Sequence, residues 1–362
     1  TITVIIVIYN MVKISLNDNV NKLKEKSKAK NTQDKYNGDW LKFIDYCKNK
    51  YNCSPLDVDD LESAYALTAN YMDWLHEDPE AKILKGTSNI PGREKLNNNP
   101  YSSSAYKAST IQRILASITY KYRINGFQFD RKNPNISETI SAIVRDERNN
   151  KSGQAKELLK ADIEKIINKI PEDNDDFRNI RDKALILIGF YSFCRRSELL
   201  GMKYEHLNFE DDGVQVLIPF SKTDQKGEGR MIYLPKNNSP YCPVSALKNW
   251  LDVALIDSGP LFYKINKANN IEKYILNNKN QKVSLTDTSF VLILKKRAED
   301  AGIENCDKIS GHSLRIGSIT QARMNGVPTH EIMAQSGHKT TQMIDRYTKL
   351  TNIKETSAAK KL

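Results

Sequence analysis

Residues 312–347 read HSLRIGSITQARMNGVPTHEIMAQSGHKTTQMIDRY, and their reading decides what kind of protein this is. The stretch holds His312-Ser313-Leu314-Arg315, then Gly337-His338, then Tyr347 nine residues after the second histidine. A phenol, two imidazoles and a guanidinium are thereby gathered at helical spacing. That set suits attack on a phosphodiester without a metal: a nucleophile, a base, and a cation for the non-bridging oxygens. A tyrosine hydroxyl, with a pKa of roughly 10, is a poor nucleophile at neutral pH unless cations surround it. Its phosphate ester conserves the energy of the broken bond, so joining can follow cleavage without ATP. Such a site still needs a second cation and an acid for the departing 5′-oxygen.

Working outward, both are present. Arg195 lies in Phe193-Cys194-Arg195-Arg196-Ser197-Glu198-Leu199, at the end of an apolar run from Ala184 that predicts a buried helix. Lys222, in Ser221-Lys222-Thr223-Asp224, sits in a polar turn between two short apolar segments, Val214 to Phe220 and Arg230 to Leu234. Those segments predict a β-hairpin. Taken singly, each residue has a plainer reading. Arg195 would cap a helix C-terminus, Lys222 would be solvated, either histidine would be structural, and Tyr347 is one of 17 tyrosines. Their joint occurrence, in order and at two fixed spacings, favours the chemical reading.

At 362 residues the chain is comfortable for two domains. It carries 55 Lys plus Arg against 44 Asp plus Glu, a net charge of +11 that fits a polyanionic partner without proving one. Five scattered cysteines with no CxxC or Cys/His cluster indicate neither a disulfide framework nor a zinc site. They favour a reducing compartment inside a cell. The β-branched run TITVIIVIY at residues 1–9 is too short to span a bilayer and lacks a signal peptide's basic flank. It reads as extraneous sequence or a stray strand, and no transmembrane segment is expected elsewhere.

Residues 12–32 alternate lysine at 22, 24, 26, 28 and 30 and read as a mobile basic arm. Helices are expected from Thr32 (Tyr36, Trp40, Phe43, Ile44, Cys47), from about Asp59 to His76, through Ile111, Ile114, Leu115, Ile118 and Tyr122, and over about 135–147. Residues 80–104 read as a loop and 149–156 as a linker. Beyond it, helices are expected through Ile163, Ile166, Ile167 and Ile170 up to Pro171, from Pro243 to Leu255, and from Thr286 to Ala301.

With these residues in place, the chain resembles the tyrosine recombinase (phage integrase) family over most of residues 32–350. The family's Arg in an R-x-S-E-L-like pattern, hairpin Lys, H-x-x-R, G-H and Tyr correspond to Arg195, Lys222, His312, Arg315, His338 and Tyr347. Arg195 is preferred over its neighbour Arg196 because it stands three before Glu198. The opening helix at Thr32 to Tyr36, Thr110-Ile111 and Gln154-Ala155-Lys156 resemble the family's N-terminal half in the same way.

The resemblance implies a mostly α fold with a small β-hairpin or sheet, in two domains that form a C-shaped clamp on duplex DNA. Residues 1–31 would be an extension and basic arm, 32–148 a helical core-binding domain, 149–156 a linker, 157–350 a mixed α/β catalytic domain and 351–362 a tail. Tyr347 would attack phosphorus to give a 3′-phosphotyrosine. Arg195 and Arg315 would grip the non-bridging oxygens, Lys222 would protonate the 5′-oxygen, His312 would take the phenol proton, and His338 would hydrogen-bond the phosphate. Glu198 would buttress the site. Lys35, Lys107, Arg113, Lys121 and Arg123 would touch DNA. Neither cofactor nor metal is implied, and the partners would be double-stranded DNA and further copies of the chain, from dimer to tetramer. A type IB topoisomerase, a telomere resolvase and a catalytically silent DNA-binding relative remain alternatives. His312 weighs against the topoisomerase, where lysine is usual.

Overall fold

The computed structural model describes residues 30–77, 81, 106–149, 155–172, 175–219, 229–273 and 284–348. The expected basic arm up to residue 29, the loop at 80–104 apart from residue 81, residues 150–154 of the linker, the hairpin turn with Lys222 and the tail beyond 350 lie outside them, as do residues 1–10. Packing divides the chain into two compact units, Thr1–Ser152 and Gly153–Leu362.

The first unit is helical: α1 Lys30–Tyr51, α2 Leu61–Glu77, α3 Ala108–Ile124 and α4 Pro134–Asn149. Helix α1 begins two residues before Thr32, so the end of the lysine-rich stretch is helical rather than an arm. Helix α3 packs on α1, α2 and α4. It does so through Ile111, Ile114, Leu115, Ile118 and Tyr122, all buried, as their spacing predicts. Aromatic side chains fill the centre. Tyr122 stacks on Phe129 with ring centroids 4.8 Å apart, and Phe43 meets Tyr71 at 5.0 Å. His76 Nε2 lies 3.2 Å from both Glu77 and Asp146, which ties α2 to α4.

The second unit holds α5 Lys160–Lys169, α6 Phe177–Tyr191, α7 Arg196–Leu200, strands β1 Leu207–Phe209, β2 Gly213–Ile218 and β3 Arg230–Pro235, then α8 Pro243–Val253, α9 Asp287–Asp300, α10 Ser313–Met324, α11 Thr329–Ser336 and α12 Thr341–Thr348. The sheet is antiparallel in the order β1-β2-β3, and Ile218 pairs with Arg230 at its open end. Strand β1 escaped the sequence reading because three residues are too few to show alternation.

Helix α6 is the central element. Ala184, Leu185, Ile186, Leu187 and Ile188 are fully buried, and α6 packs against α8 and α10. It starts at Phe177, well before the apolar run, because Asp176 caps it by accepting the Arg178 N–H at 2.9 Å. The polar residues of its first turns are paired inside the unit: Asp182 accepts from Arg181 Nη2 at 2.7 Å and from Arg297 Nε of α9 at 2.8 Å. Among the described residues no helix is long and apolar enough to cross a membrane, and all five cysteines are unpaired.

Helix α10 approaches the segment before α5 with no side chain between them. A Cβ at Gly317 would fall well inside van der Waals contact of the Leu158 carbonyl. The same segment is tied to α10 by the Leu158 N–H, which donates to the Ser313 carbonyl at 3.3 Å. Gly317→Ala should therefore destabilise the second unit by about 2 kcal/mol or more, since backbone rather than a rotatable side chain must give way. Urea unfolding measures this, and a loss below about 0.5 kcal/mol, the scatter of ordinary surface substitutions, would contradict the close approach.

Candidate active site

Three segments far apart in the chain converge in the second unit: the α6–α7 turn, the start of β3, and α10 with the α11–α12 turn. Arg195 is the N-cap residue of α7. Glu198 stands three residues on, where a carboxylate can reach back to the cap. Its Oε2 accepts the Arg195 backbone N–H at 2.9 Å and its Oε1 accepts from Arg195 Nη1 at 2.7 Å. The carboxylate is only 3% exposed, and a second guanidinium reaches it, Arg230 Nη2 at 2.9 Å from Oε2. Burial, the largest single effect, opposes ionisation, but Arg230 and Arg195 together outweigh it and hold the Glu198 carboxyl below the usual carboxylate range.

Arg315 projects from the first turn of α10 and is buried. Its Nη1 donates to the Phe193 carbonyl at 2.6 Å and to the Ser336 carbonyl at 2.8 Å. Its Nη2 lies 2.8 Å from His338 Nε2 and 3.3 Å from Nδ1. Ser336 Oγ is 2.8 Å from His338 Nδ1. A guanidinium can only donate, so this contact requires an unprotonated ring nitrogen on His338. This is a neutral imidazole. Burial, with Arg315, Arg195 and Arg230 nearby, pushes the His338 pKa down to about 4.

The backbone around this cluster is bent to fit. Phe193 adopts φ +55°, a left-handed conformation that costs a non-glycine residue about 1–2 kcal/mol. The bend lies beside the carbonyl that Arg315 grips. Gly337 ends α11 at φ +69°, and the Arg230 guanidinium covers it so closely that a Cβ would sit 2.8 Å from Nη1.

His312 is the N-cap residue of α10 and is exposed, yet its pKa is lowered by desolvation on its inner side and by Arg315, Arg196 and Arg195. Arg196, the rival to Arg195, pairs with Asp287 of α9 at 2.6 Å. Tyr347 lies on α12, one turn after Ile344. Ile344 is fully buried in a small cluster with Ile319, Ala322 and Ile332, against which Phe193 packs. Helix α12 is thereby seated on α10 and α11 of its own chain.

Of the six expected residues, Arg195, Arg315 and His338 are brought together with Glu198, and His312 stands within electrostatic reach of both arginines. The Tyr347 side chain and Lys222 lie outside what is described. Arg230 and Ser336 were not anticipated. A charge opening an apolar strand just after Gly229 was the one available hint of the former. In the first unit, Lys35, Lys107 and Arg123 are exposed and Lys121 is half-buried. Arg113 is engaged by Asp39 through both terminal nitrogens, and Arg123 Nε donates to the Phe129 carbonyl at 3.1 Å.

The His338 shift has a thermodynamic consequence. Its folded pKa of about 4 lies below the ordinary 6.5, so between these values the unfolded chain binds the extra proton. Stability must rise with pH across that window and be lost as pH falls toward 4, by on the order of 3 kcal/mol for this group. His338→Gln should flatten the slope of unfolding free energy between pH 4 and 6.5, and a slope equal to that of the parent chain would contradict the assignment.

Residues 156–353 match the model of the phage integrase family. An integrase/recombinase xerD homolog from Selenomonas ruminantium is 31% identical over 348 residues, which covers 93% of this chain and 87% of the relative. The tyrosine recombinase XerA of Pyrococcus furiosus is 24% identical over 252 residues, 69% of this chain and 72% of that one. Among solved structures, XerH site-specific recombinase bound to palindromic difH substrate shares the fold with a TM-score of 0.57 and 17% identity, over 94% of this chain and 82% of the other. The Tn1549 transposon integrase in complex with transposon right end DNA does so with a TM-score of 0.56 and 14% identity, over 94% and 97%. The motif order, the convergence of Arg195, Arg315 and His338, and these likenesses together establish that the chain belongs to the phage integrase family of tyrosine recombinases.

Proposed function

We propose that this chain is a site-specific DNA recombinase that cuts and rejoins strands through a 3′-phosphotyrosine at Tyr347. Tyr347 Oη attacks the scissile phosphorus, the bond from phosphorus to the 5′-oxygen breaks, and a phosphotyrosyl ester and a free 5′-hydroxyl result. His312 takes the phenol proton; its depressed pKa keeps it unprotonated at neutral pH and so able to accept. Lys222 delivers a proton to the departing oxygen. Attack by a 5′-hydroxyl from the partner duplex reverses the step and seals the exchanged strand. Since the ester conserves the bond energy, the cycle requires no ATP, and the guanidiniums supply the charge neutralisation that a metal would otherwise bring.

One observation carries the reading: Arg195 and Arg315 approach the same small region from distant segments, each held by its own buried partners. Two fixed guanidinium forks match the non-bridging oxygens of a phosphodiester better than ammonium groups would. His338, as arranged, orients Arg315. A direct hydrogen bond from it to phosphate requires the ring to give up that contact.

Duplex DNA is the proposed partner, with exposed Lys35, Lys107 and Arg123 and half-buried Lys121 offered to its phosphates. Arg113 serves first as the partner of Asp39. Exchange between two duplexes cuts four strands, and one Tyr347 per chain then calls for four protomers.

Nicked duplexes bearing candidate sites should give a protease-sensitive covalent adduct with the parent chain. Tyr347→Phe should give none, and an adduct that persists in it would refute the nucleophile. Arg315→Lys should slow adduct formation by about 100-fold or more, the usual loss when a donor to the transition-state oxyanion is removed.

A further inference from the structure

We propose that Arg230, the first residue of β3, is a positioning residue of this site: it locks the Glu198 carboxylate against Arg195 and backs the Gly337 turn that presents His338. The inference rests on the strand-exchange reading above and assigns to the hairpin strand a role separate from that of Lys222.

The geometry is specific on both sides of the guanidinium. Toward α7, Arg230 Nη2 donates to Glu198 Oε2 at 2.9 Å, the oxygen that also receives the Arg195 backbone N–H. The other carboxylate oxygen receives Arg195 Nη1 at 2.7 Å. Glu198 is thus gripped from two elements, and Arg195 cannot swing without breaking a buried charge pair. Toward α11, the Arg230 guanidinium covers Gly337, where a Cβ would sit 2.9 Å from its Cζ. Any side chain at Gly337 would push Arg230 off Glu198. Its Nη2 also lies 3.6 Å from Cys194 Sγ, next to Arg195 in the chain. Among the described residues the buried Arg230 Nε has no hydrogen-bond partner, so the guanidinium is held through Nη2 and its packing on Gly337.

Charge gives a reason for the arrangement. With Arg195 alone, Glu198 would cancel the guanidinium that has to meet phosphate. Arg230 and Arg195 both grip Glu198, and Arg315 stands with them around His338, so three guanidiniums and one carboxylate leave two positive charges in the cluster. The pentacoordinate phosphorus of the transition state carries two negative charges on its non-bridging oxygens, so the match improves as the reaction proceeds. Arg230 also pairs with Ile218 at the open end of the β2–β3 ladder, where the connection containing Lys222 departs. One side chain thereby ties the origin of that connection to the phosphate clamp.

Arg230→Met and Arg230→Lys test this, with single-turnover cleavage of a nicked duplex and DNA affinity measured side by side. Arg230→Met should cleave about 10- to 100-fold more slowly at saturating DNA, the usual cost of losing a supporting contact one shell out. Its affinity should stay within about twofold, because the loss falls on the step after binding. Arg230→Lys should recover part of the rate, and it decides the matter if the Met variant does not fold. Combined with Glu198→Gln, Arg230→Met should be no slower than the slower single variant, since the two act as a unit. Cleavage by Arg230→Met within about twofold of the parent, a loss confined to affinity, or multiplicative effects would each overturn the proposal.

A second readout needs no DNA. His338 is faced by Arg315, Arg195, Arg230, Glu198 and Ser336. Removing Arg230 should raise its imidazole pKa in an NMR titration, whereas His312, surrounded by Arg315, Arg196 and Arg195, should stay put. An unmoved His338 overturns the proposal. If the parent chain itself forms no adduct, the strand-exchange reading fails, and the imidazole shift still judges Arg230.

Discussion

The site depends on how Arg315 is held. A buried guanidinium is tolerated only where its donors are satisfied, and here two backbone carbonyls and an imidazole receive them. Those acceptors come from the α6–α7 turn and the α11–α12 turn, so a side chain of α10 fixes the distance between two loops far apart in sequence. The orientation is set by the chain's own contacts, and fixed dipoles and charges are worth most when they need not reorganise. The neutral state of His338 follows from the same contact. A ring that accepts from a guanidinium and stands among arginines resists protonation.

The α12 helix is set by a different force. Ile344 buries itself beside Ile319, Ala322 and Ile332, and Phe193 closes the cluster. Phe193 contributes its carbonyl to Arg315 and its ring to the platform beneath the helix that bears Tyr347. A left-handed aromatic residue is an unfavourable conformation, and one residue serving both the clamp and the platform gives a physical reason for it. The tight backbone packing at Gly317 has a related effect, since it seats α10 against the start of the second unit.

Much of this was legible from residue order. The apolar stripe of α3, the fully buried run of α6 and the two strands follow from periodicity, and motif order with the family pattern nominated Arg195, Arg315 and His338, which the fold brings close together. What escaped has physical causes. Asn179, Arg181 and Asp182 precede the apolar run, yet they are buried because Arg297, over a hundred positions away, completes their pairing. Arg230 opens an expected strand, and only folding brings it to Glu198. The preference for Arg195 over Arg196 rests on the position of Glu198, and Arg196 pairs instead with Asp287 of α9.

The account's central claim concerns one atom, the Tyr347 hydroxyl, and the phosphorus it attacks. The most direct measurement is mass spectrometry of the covalent complex after trypsin and nuclease digestion, with the linked peptide sequenced. The account predicts a nucleotide joined through its 3′-phosphate to the peptide Tyr347-Thr348-Lys349. A nucleotide attached to any other residue, or to Tyr347 through a 5′-phosphate, would contradict it.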